Sequence, residues 1–287
     1  MPELPEVDAL ATFLREKAVG LAVADVELAS FSVLKTFDPP VTALGGLQVS
    51  GVARHGKFLD LDVDGLHLVV HLAKAGWLRW SDAFGDKRLK MGNGPLTARV
   101  RLDAGDGPSV GFDLTEAGTR KGLAMYVVRE PTDVPGIAAL GPDALDPALD
   151  LPSLLAGRRM QVKRFLRDQT ILSGIGNAYS DEILHTARLS PFAIAADLDD
   201  AAVERLAAAV RSVLTGALEE ATGRPAADLK DDKRTRMRVH GRAGQTCPVC
   251  GDTVAEVTFS DSSLQYCPTC QTGGQKLKDR STSKFLK

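Results

Sequence analysis

Four cysteines near the C-terminal end constrain this chain more than any other feature. They form two Cys-x-x-Cys pairs, Cys247/Cys250 and Cys267/Cys270, separated by sixteen residues. Each pair can direct two thiolates at one ion, and two pairs complete a closed tetrahedral site. Two disulfides or a redox dithiol are the alternatives, but disulfides suit secreted chains and a redox dithiol needs only one pair. The spacing therefore predicts a zinc ribbon with one structural Zn²⁺ per chain and no open position for catalysis.

Length and composition are those of an ordinary globular protein. The chain has 287 residues, 44% hydrophobic and 25% charged, enough for one large or two ordinary cores and too apolar for wholesale disorder. No apolar run approaches the roughly 20 residues of a membrane helix. The first seven residues contain two prolines and two glutamates where a secretory signal would be basic and then apolar. We therefore expect a cytoplasmic protein with no membrane partner.

The net charge of −2 hides a difference between the two halves. Residues 1–155 carry 15 Lys and Arg against 21 Asp and Glu, whereas residues 156–287 carry 20 against 16. Clustered cations can follow a phosphate backbone, although each cluster alone is equally consistent with a solvated surface. The three clusters are Arg158, Arg159, Lys163, Arg164 and Arg167; Lys230, Lys233, Arg234, Arg236, Arg238 and Arg242; and Lys276, Lys278, Arg280, Lys284 and Lys287.

Hydrophobic periodicity predicts an α+β fold. Apolar residues at helical spacing over 7–14 predict a first helix that stops near Gly20. From there to about residue 130 the alternation predicts a mostly antiparallel β-sandwich or barrel, of which we expect the sandwich, with a tight turn at Asp64-Gly65 and a second hairpin turn at 103–108. Helical patterns follow at 154–157, 162–168 and 201–220, the last with Asp199 and Asp200 available as caps.

These patterns divide the chain into five parts. The predicted β-sandwich occupies 1–130, and a stretch rich in Pro, Gly and Asp at 131–152 has the composition of a linker. A helical domain is expected over 153–240, the zinc ribbon over 241–272 and a basic tail over 273–287.

Pro2 and Glu3 together form a candidate reactive group. A small second residue allows removal of Met1, which would leave a free prolyl amine. Because an α-amine has a pKa of roughly 8, a useful fraction is an unprotonated nucleophile at neutral pH. The adjacent Glu3 carboxyl is positioned to act as a general acid or base. By residue chemistry alone this start is also consistent with an ordinary chain end.

Four motifs in order give the chain a specific resemblance. They are the N-terminal Met-Pro-Glu-Leu-Pro-Glu-Val, the run 54–59 (Arg-His-Gly-Lys-Phe-Leu), the run 174–179 (Gly-Ile-Gly-Asn-Ala-Tyr) and the four-cysteine ribbon. Together they resemble the formamidopyrimidine-DNA glycosylase/endonuclease VIII family over nearly the whole chain. The resemblance implies a helix–two-turn–helix domain at 153–240.

The resemblance also implies a catalytic set. Pro2 would attack C1′ of a damaged nucleotide and form a Schiff base once the base departs, while Glu3 would handle the protons of ring opening. Lys57 would hold a phosphate beside the lesion. Glu6 and Glu182 match family carboxylates near the active site, although each is also consistent with a capping or surface acid.

DNA contacts follow from the same resemblance. Gly176 and Asn177 lie in the turn that approaches a phosphate, where glycine and a helix N-terminus favour close contact. Lys163 matches a phosphate contact upstream of that turn, and His71, Lys74 and Arg120 are expected to contact DNA. The reactive base must be extruded from the duplex, because stacking shields its glycosidic bond.

The sequence departs from the family where the gap left by that base must be filled. Lys74 stands at the position of a methionine, and 119–121 (Thr-Arg-Lys) replaces an Arg-Phe wedge. Ser262 aligns with a phosphate-binding arginine, and residues 223–240 are too short for the long loop that covers 8-oxoguanine. If that lesion is removed efficiently, Arg120 or Phe112 would have to fill the gap.

Two function classes remain open at this point. The first is a bifunctional DNA glycosylase/AP lyase of base excision repair, a monomer acting on double-stranded DNA with damaged bases or abasic sites, nucleoid-associated if bacterial. The second is a non-catalytic member that binds distorted DNA. The Pro2-Glu3 pair favours the enzyme, because a pure binder has no need of a prolyl amine beside a carboxylate.

Overall fold

The structure is a computed structural model that describes residues 1–92, 94–118, 121–227, 229–260 and 262–277. The chain forms two compact units. The first contains Met1–Leu140 and Leu218–Lys230, and the second contains Gly141–Ala217 and the chain from Asp231 onward. Of the described helices, none has the length and apolar character required to cross a bilayer.

Eight strands of the first unit form the predicted sandwich of two antiparallel sheets. The first sheet has the order β1-β6-β7-β5, and the second has the order β2-β3-β4-β8. Alternate side chains pack between the sheets, among them the fully buried Leu61, Leu78 and Phe112. The strands are β1 (Ala22–Leu28), β2 (Val49–His55), β3 (Phe58–Val63), β4 (Leu66–His71), β5 (Gly76–Ser81), β6 (Leu96–Asp103), β7 (Val110–Glu116) and β8 (Ala124–Val128).

Helix α1 (Leu4–Ala18) packs on β2 and β3. Its apolar face is buried in the core of the sandwich, as the helical spacing of residues 7–14 predicts. Asp8 accepts a hydrogen bond from Arg54 (2.9 Å) and Arg15 donates to the carbonyl of Val52 (2.9 Å). Since β2 ends at His55, these contacts place the start of α1 beside the end of β2.

One end of the sandwich gathers the connections of both sheets, and we call it the site rim. Register pairs Leu28 with Ala98 and Gly76 with Glu116 in the first sheet, and His71 with Phe58 and Ala124 in the second. The segment 72–75 joins β4 to β5 across this end, and 117–123 joins β7 to β8. The rim therefore collects the start of α1, the β2–β3 turn, the segments 29–35 and 72–75, and the described residues of the segments 91–95 and 117–123.

The first unit also includes 218–230, distant in sequence. Trp77 donates its indole N–H to the carbonyl of Ala226 (2.8 Å), and Ala221, Ala226 and Leu229 join the core of the sandwich. A short helix, α2 (Pro135–Ala138), covers the outer face of the second sheet, where Ile137 packs with Val69.

The second unit is helical, followed by the ribbon. Asp199 caps α6 by accepting the N–H of Ala202 (2.7 Å), as predicted. The predicted helix at 154–157 instead begins at Leu151, because Asp150 caps it through the N–H of Ser153. The helices are α3 (Leu151–Leu155), α4 (Val162–Arg167), α5 (Asn177–Ala187), α6 (Asp200–Ala221), α7 (Leu229–Arg236) and α8 (Pro268–Thr272), and the ribbon strands are β9 (Ala255–Thr258) and β10 (Ser263–Tyr266).

Candidate active site and nucleic-acid interface

The start of α1 places Pro2, Glu3 and Glu6 on the site rim. All three are buried: Glu3 is 1% exposed and Glu6 is 3% exposed. The Glu6 carboxylate accepts the backbone N–H of Glu3 (2.8 Å), which satisfies a helix donor and fixes the residue that follows Pro2. Glu6 thus fixes the backbone at the start of α1. Glu3 directly follows Pro2, the candidate nucleophile, in the sequence.

Lys57 and His71 are neighbours on the same rim. Lys57 lies in the β2–β3 turn and is 8% exposed. His71 lies at the end of β4, with its ring centroid 4.7 Å from that of Phe58. Burial, together with the nearby Lys57 ammonium, lowers the pKa of His71 to about 4. His71 is therefore a neutral hydrogen-bonding group at neutral pH.

The rim also holds Lys74 and the β7–β8 connection. Lys74 is exposed in the β4–β5 segment. The 2%-exposed carboxylate of Glu116 accepts the N–H groups of Gly122 and Leu123 (2.9 Å each), which ties down the end of the connection. Arg120, an expected DNA contact, lies outside the described residues. Phe112 is fully buried in the core, so the prediction that it could fill a gap in DNA is wrong.

In the second unit, Gly176 and Asn177 open α5 as their motif predicts. Asn177 donates its side-chain amide to the carbonyl of Ser263 in the ribbon (2.8 Å), and its Oδ1 is buried without a hydrogen-bond partner. The first turn of α5 is thereby fixed to the β9–β10 hairpin, with backbone donors at the helix start.

Lys163 is buried rather than displayed on the surface. It is 5% exposed, and its ammonium donates to the Ser180 hydroxyl (2.8 Å), the Asp181 carboxylate and the carbonyl of Asn177. Asp181, 1% exposed, also bonds His240 (2.7 Å). An ammonium held in this way braces the start of α5, and any phosphate contact by Lys163 remains a prediction.

Glu182 is a buried anchor in the same helix. Its two carboxylate oxygens accept the backbone N–H groups of Arg238, Val239 and His240 at 2.8–2.9 Å. Burial raises the pKa of Glu182, while these three hydrogen bonds oppose that rise. Its geometry fastens the chain after α7 to α5, and the catalytic role expected for Glu182 stays a prediction.

The four cysteines converge as a metal site. Their sulfur atoms all lie within 4.8 Å of one another, and Cys247 and Cys267 are buried. Tetrahedral zinc with four thiolates at about 2.3 Å requires sulfur separations of about 3.8 Å, so the cluster suits that ion. Burial raises the pKa of Cys267 to about 11, so a bound cation would be needed to hold its thiolate.

A groove of about 560 Å³ separates α4 from the β9–β10 hairpin. Arg164 and Arg167, one helical turn apart and exposed, line one side, and Phe259 and Ser262 line the other. No described carboxylate forms an ion pair with either arginine. Charge clustering in the sequence indicated these arginines as candidate phosphate contacts. Only the fold shows that they face the β9–β10 hairpin, where Ser262 stands at the position of the family's phosphate-binding arginine.

Comparison with known proteins assigns the family. Residues 1–119 match the formamidopyrimidine-DNA glycosylase N-terminal domain, residues 140–226 match the formamidopyrimidine-DNA glycosylase H2TH domain, and residues 244–273 match the zinc finger found in FPG and IleRS. A protein of Moorella thermoacetica named formamidopyrimidine-DNA glycosylase is 34% identical over 271 residues, 90% of this chain and 94% of that protein. The chain belongs to the formamidopyrimidine-DNA glycosylase family.

Other matches agree with this assignment. A Mycobacterium tuberculosis protein named "Uncharacterized formamidopyrimidine-DNA glycosylase-like protein" is 56% identical over 150 residues, 52% of this chain and 95% of its own length. The fold is shared with Lactococcus lactis Fpg in complex with abasic-site DNA, at a TM-score of 0.81 and 22% identity over 94% of this chain and 99% of that one. MutM in complex with DNA containing carbocyclic 8-oxo-G gives the same TM-score and identity.

Proposed function

We propose that this protein is a bifunctional DNA glycosylase/AP lyase that excises oxidised or ring-opened bases and cleaves at abasic sites. The observation that carries the proposal is the composition of the site rim. The start of α1, with Pro2 and Glu3, lies at the same end of the sandwich as Lys57 and His71. The proposed nucleophile, its neighbouring carboxyl group and the lysine proposed to bind a phosphate thus belong to one unit.

In the proposed reaction the Pro2 amine, freed by removal of Met1, attacks C1′ as the bond to the damaged base breaks. The base leaves with the bonding electron pair and takes up the proton that the amine loses as the N–C1′ bond forms. The nitrogen lone pair then forms the Schiff base, a prolyl iminium, as the C1′–O4′ bond of the sugar breaks. Glu3 supplies a proton to the sugar ring oxygen when the ring opens. Lys57, close to His71, holds the adjacent phosphate.

The second unit would bind the DNA backbone. Asn177 and the first turn of α5 offer donors to a phosphate, and the arginines of the α4 groove add charge without a carboxylate partner among the described residues. One Zn²⁺ held by the four cysteines would stabilise the hairpin to which Asn177 is bonded.

Borohydride reduction of a reaction with an abasic-site duplex tests the chemistry. We expect a covalent adduct that maps to Pro2 by mass spectrometry. A chain that retains Met1 should form none, whereas Pro2→Gly keeps a primary amine and should retain weak trapping. Full lyase activity with Met1 in place would exclude Pro2 as the nucleophile.

Glu3→Gln separates the two chemical steps. Base excision should fall by about 10²–10⁴-fold, the range for loss of a general acid or base, while cleavage at a preformed abasic site should suffer less. Equal losses in both steps would make Glu3 a structural residue of the α1 start.

A further inference from the structure

Two large apolar side chains on the site rim are exposed to solvent. Phe31 is 68% exposed and Met91 is 60% exposed, whereas most apolar side chains of this unit are in the core. Phe31 lies just after β1, and Met91 lies just before β6. The N–H of Gly92 bonds the carbonyl of Ala29 (3.1 Å), so the two segments are adjacent.

Sheet order aligns these residues with the segments near the reactive group. Across the order β1-β6-β7-β5, the connections at the rim run from Phe31 through Met91 and the described residues of 117–123 to Lys74. Lys121 donates to the carbonyl of Gly94 (3.2 Å), which joins the Met91 segment to the β7–β8 connection. Phe31 and Met91 thus lie on the same end of the sandwich as Pro2, Lys57 and His71.

The surroundings of this pair are cationic. Lys90 precedes Met91, and Lys74 lies further along the rim; both are exposed and form no ion pair with a described carboxylate. Exposed apolar side chains bordered by cations match a nucleic-acid duplex, whose base stack is apolar and whose backbone is anionic. Phe and Met are among the side chains that wedge between base steps and fill an opened stack.

We propose that Phe31 and Met91 form the wedge that enters the base stack when a nucleotide is extruded towards Pro2. This inference rests on the proposed function, and it assigns gap filling to residues outside the segments where Lys74 and 119–121 replace the family wedge. The occupant of the patch is therefore duplex DNA with a vacated base position. Lys74 contributes charge at the edge of the gap rather than apolar area.

The test compares Phe31→Ala and Met91→Ala with Phe37→Ala in the full-length protein. Phe37 is a matched control, because it is 77% exposed yet its segment runs along β8 away from the rim: Leu34 pairs with Met125, and Thr36 accepts the N–H of Val127 (2.7 Å). Borohydride trapping is measured on an abasic duplex and on the same abasic strand unpaired, where there is no duplex stack to fill.

The duplex-to-single-strand ratio of trapping rates should fall about tenfold in Phe31→Ala and Met91→Ala, in line with the loss of one stacked contact, and should not change in Phe37→Ala. 2-Aminopurine opposite the abasic site should show less fluorescence quenching with the two rim variants than with wild type.

If wild type forms an adduct but all three variants keep the wild-type ratio of trapping rates, the wedge assignment is overturned and the proposed function stands. Absence of any wild-type adduct would instead overturn the proposed function. Concentration-dependent dimerisation lost in both rim variants, with an unchanged ratio, would identify the patch as a contact between copies of the chain.

Discussion

His185 Nε2 lies 3.4 Å from the sulfur of Cys247, which joins helix α5 to the metal cluster. His185 is 3% exposed and lies on the helix that begins with Asn177. Asn177 in turn donates to Ser263 in the ribbon. The two ends of α5 therefore both contact the ribbon, so the proposed phosphate site depends on the metal through short, direct links.

Zinc removal should therefore disturb α5 as well as the ribbon. We expect one zinc per chain by elemental analysis, and chelation should accelerate hydrogen exchange of α5 amides and weaken binding to abasic duplex, because binding of a structural zinc contributes folding free energy. A metal-free protein with full DNA affinity and protected α5 amides would contradict this prediction. Exchange in β3 and β4 of the first unit serves as the internal reference.

The sandwich and the ribbon could be predicted from the sequence because their signals are local. Alternation around Asp64-Gly65 specifies β3, the turn and β4 within a few residues. Cysteine spacing alone specifies the four sulfurs. Side-chain positions that depend on partners distant in sequence could not be predicted. A lysine in a cationic run is expected to be exposed, whereas Lys163 is buried because Asp181, eighteen residues later, accepts a hydrogen bond from its ammonium group.

The candidate wedge could not be predicted from the sequence, for a related reason. Phe31 and Met91 lie in connections, where no periodic pattern tells an exposed apolar residue from a buried one. Only the alignment of strand ends, visible as Leu28 opposite Ala98 and Gly76 opposite Glu116, shows that both belong to the rim that holds Pro2.

Glu182→Gln should lower the free energy of unfolding by about 1–3 kcal/mol, because an amide nitrogen would face backbone N–H donors now satisfied by a carboxylate. Urea denaturation at neutral pH measures the change. Glu204→Gln on the exposed face of α6 is the matched control and should be near neutral. A Glu182→Gln protein of wild-type stability that loses base excision would favour the catalytic role instead.

His71 should make stability depend on pH in the acid range. Its folded-state pKa is about 4, below the ordinary 6.5, so the unfolded chain binds a proton more readily between these values. Above pH 6.5 His71 is mostly neutral in both the folded and the unfolded state, so it leaves the free energy of unfolding unchanged. As pH falls towards 4, protonation of His71 in the unfolded chain should lower the free energy of unfolding by up to about 3 kcal/mol. Urea titrations of wild type and His71→Gln at pH 7 and pH 4.5 measure this difference. Parallel pH profiles for the two proteins would show that His71 is not desolvated as described.

Arg164 and Arg167 should contribute salt-dependent, sequence-independent affinity. If each neutralises a phosphate, replacing either with Ala should reduce the slope of log K against log salt by about 1. Arg211→Ala, an exposed arginine of α6 away from the groove, is the control and should keep the wild-type slope. Fluorescence anisotropy with an undamaged duplex at several salt concentrations makes the measurement, and equal slopes for all three variants would remove the groove from the DNA interface.

Lys74 should govern lesion preference more than strand cleavage. Its exposed ammonium can meet a phosphate or lie in a hydrated gap, but it fills an apolar stacking gap poorly, because desolvating the charge is costly. We therefore expect weak excision of 8-oxoguanine opposite cytosine and better activity on abasic sites, ring-opened purines or oxidised pyrimidines, whose weakened stacking eases extrusion.

Lys74→Met should leave cleavage of a preformed abasic site within about twofold of wild type while shifting the preference towards 8-oxoguanine, since a methionine adds apolar area at the edge of the gap. A panel of lesion-containing duplexes, scored separately for base release and strand nicking, measures both effects. Wild-type removal of 8-oxoguanine as fast as it nicks abasic sites would contradict the prediction that Lys74 limits excision of this lesion.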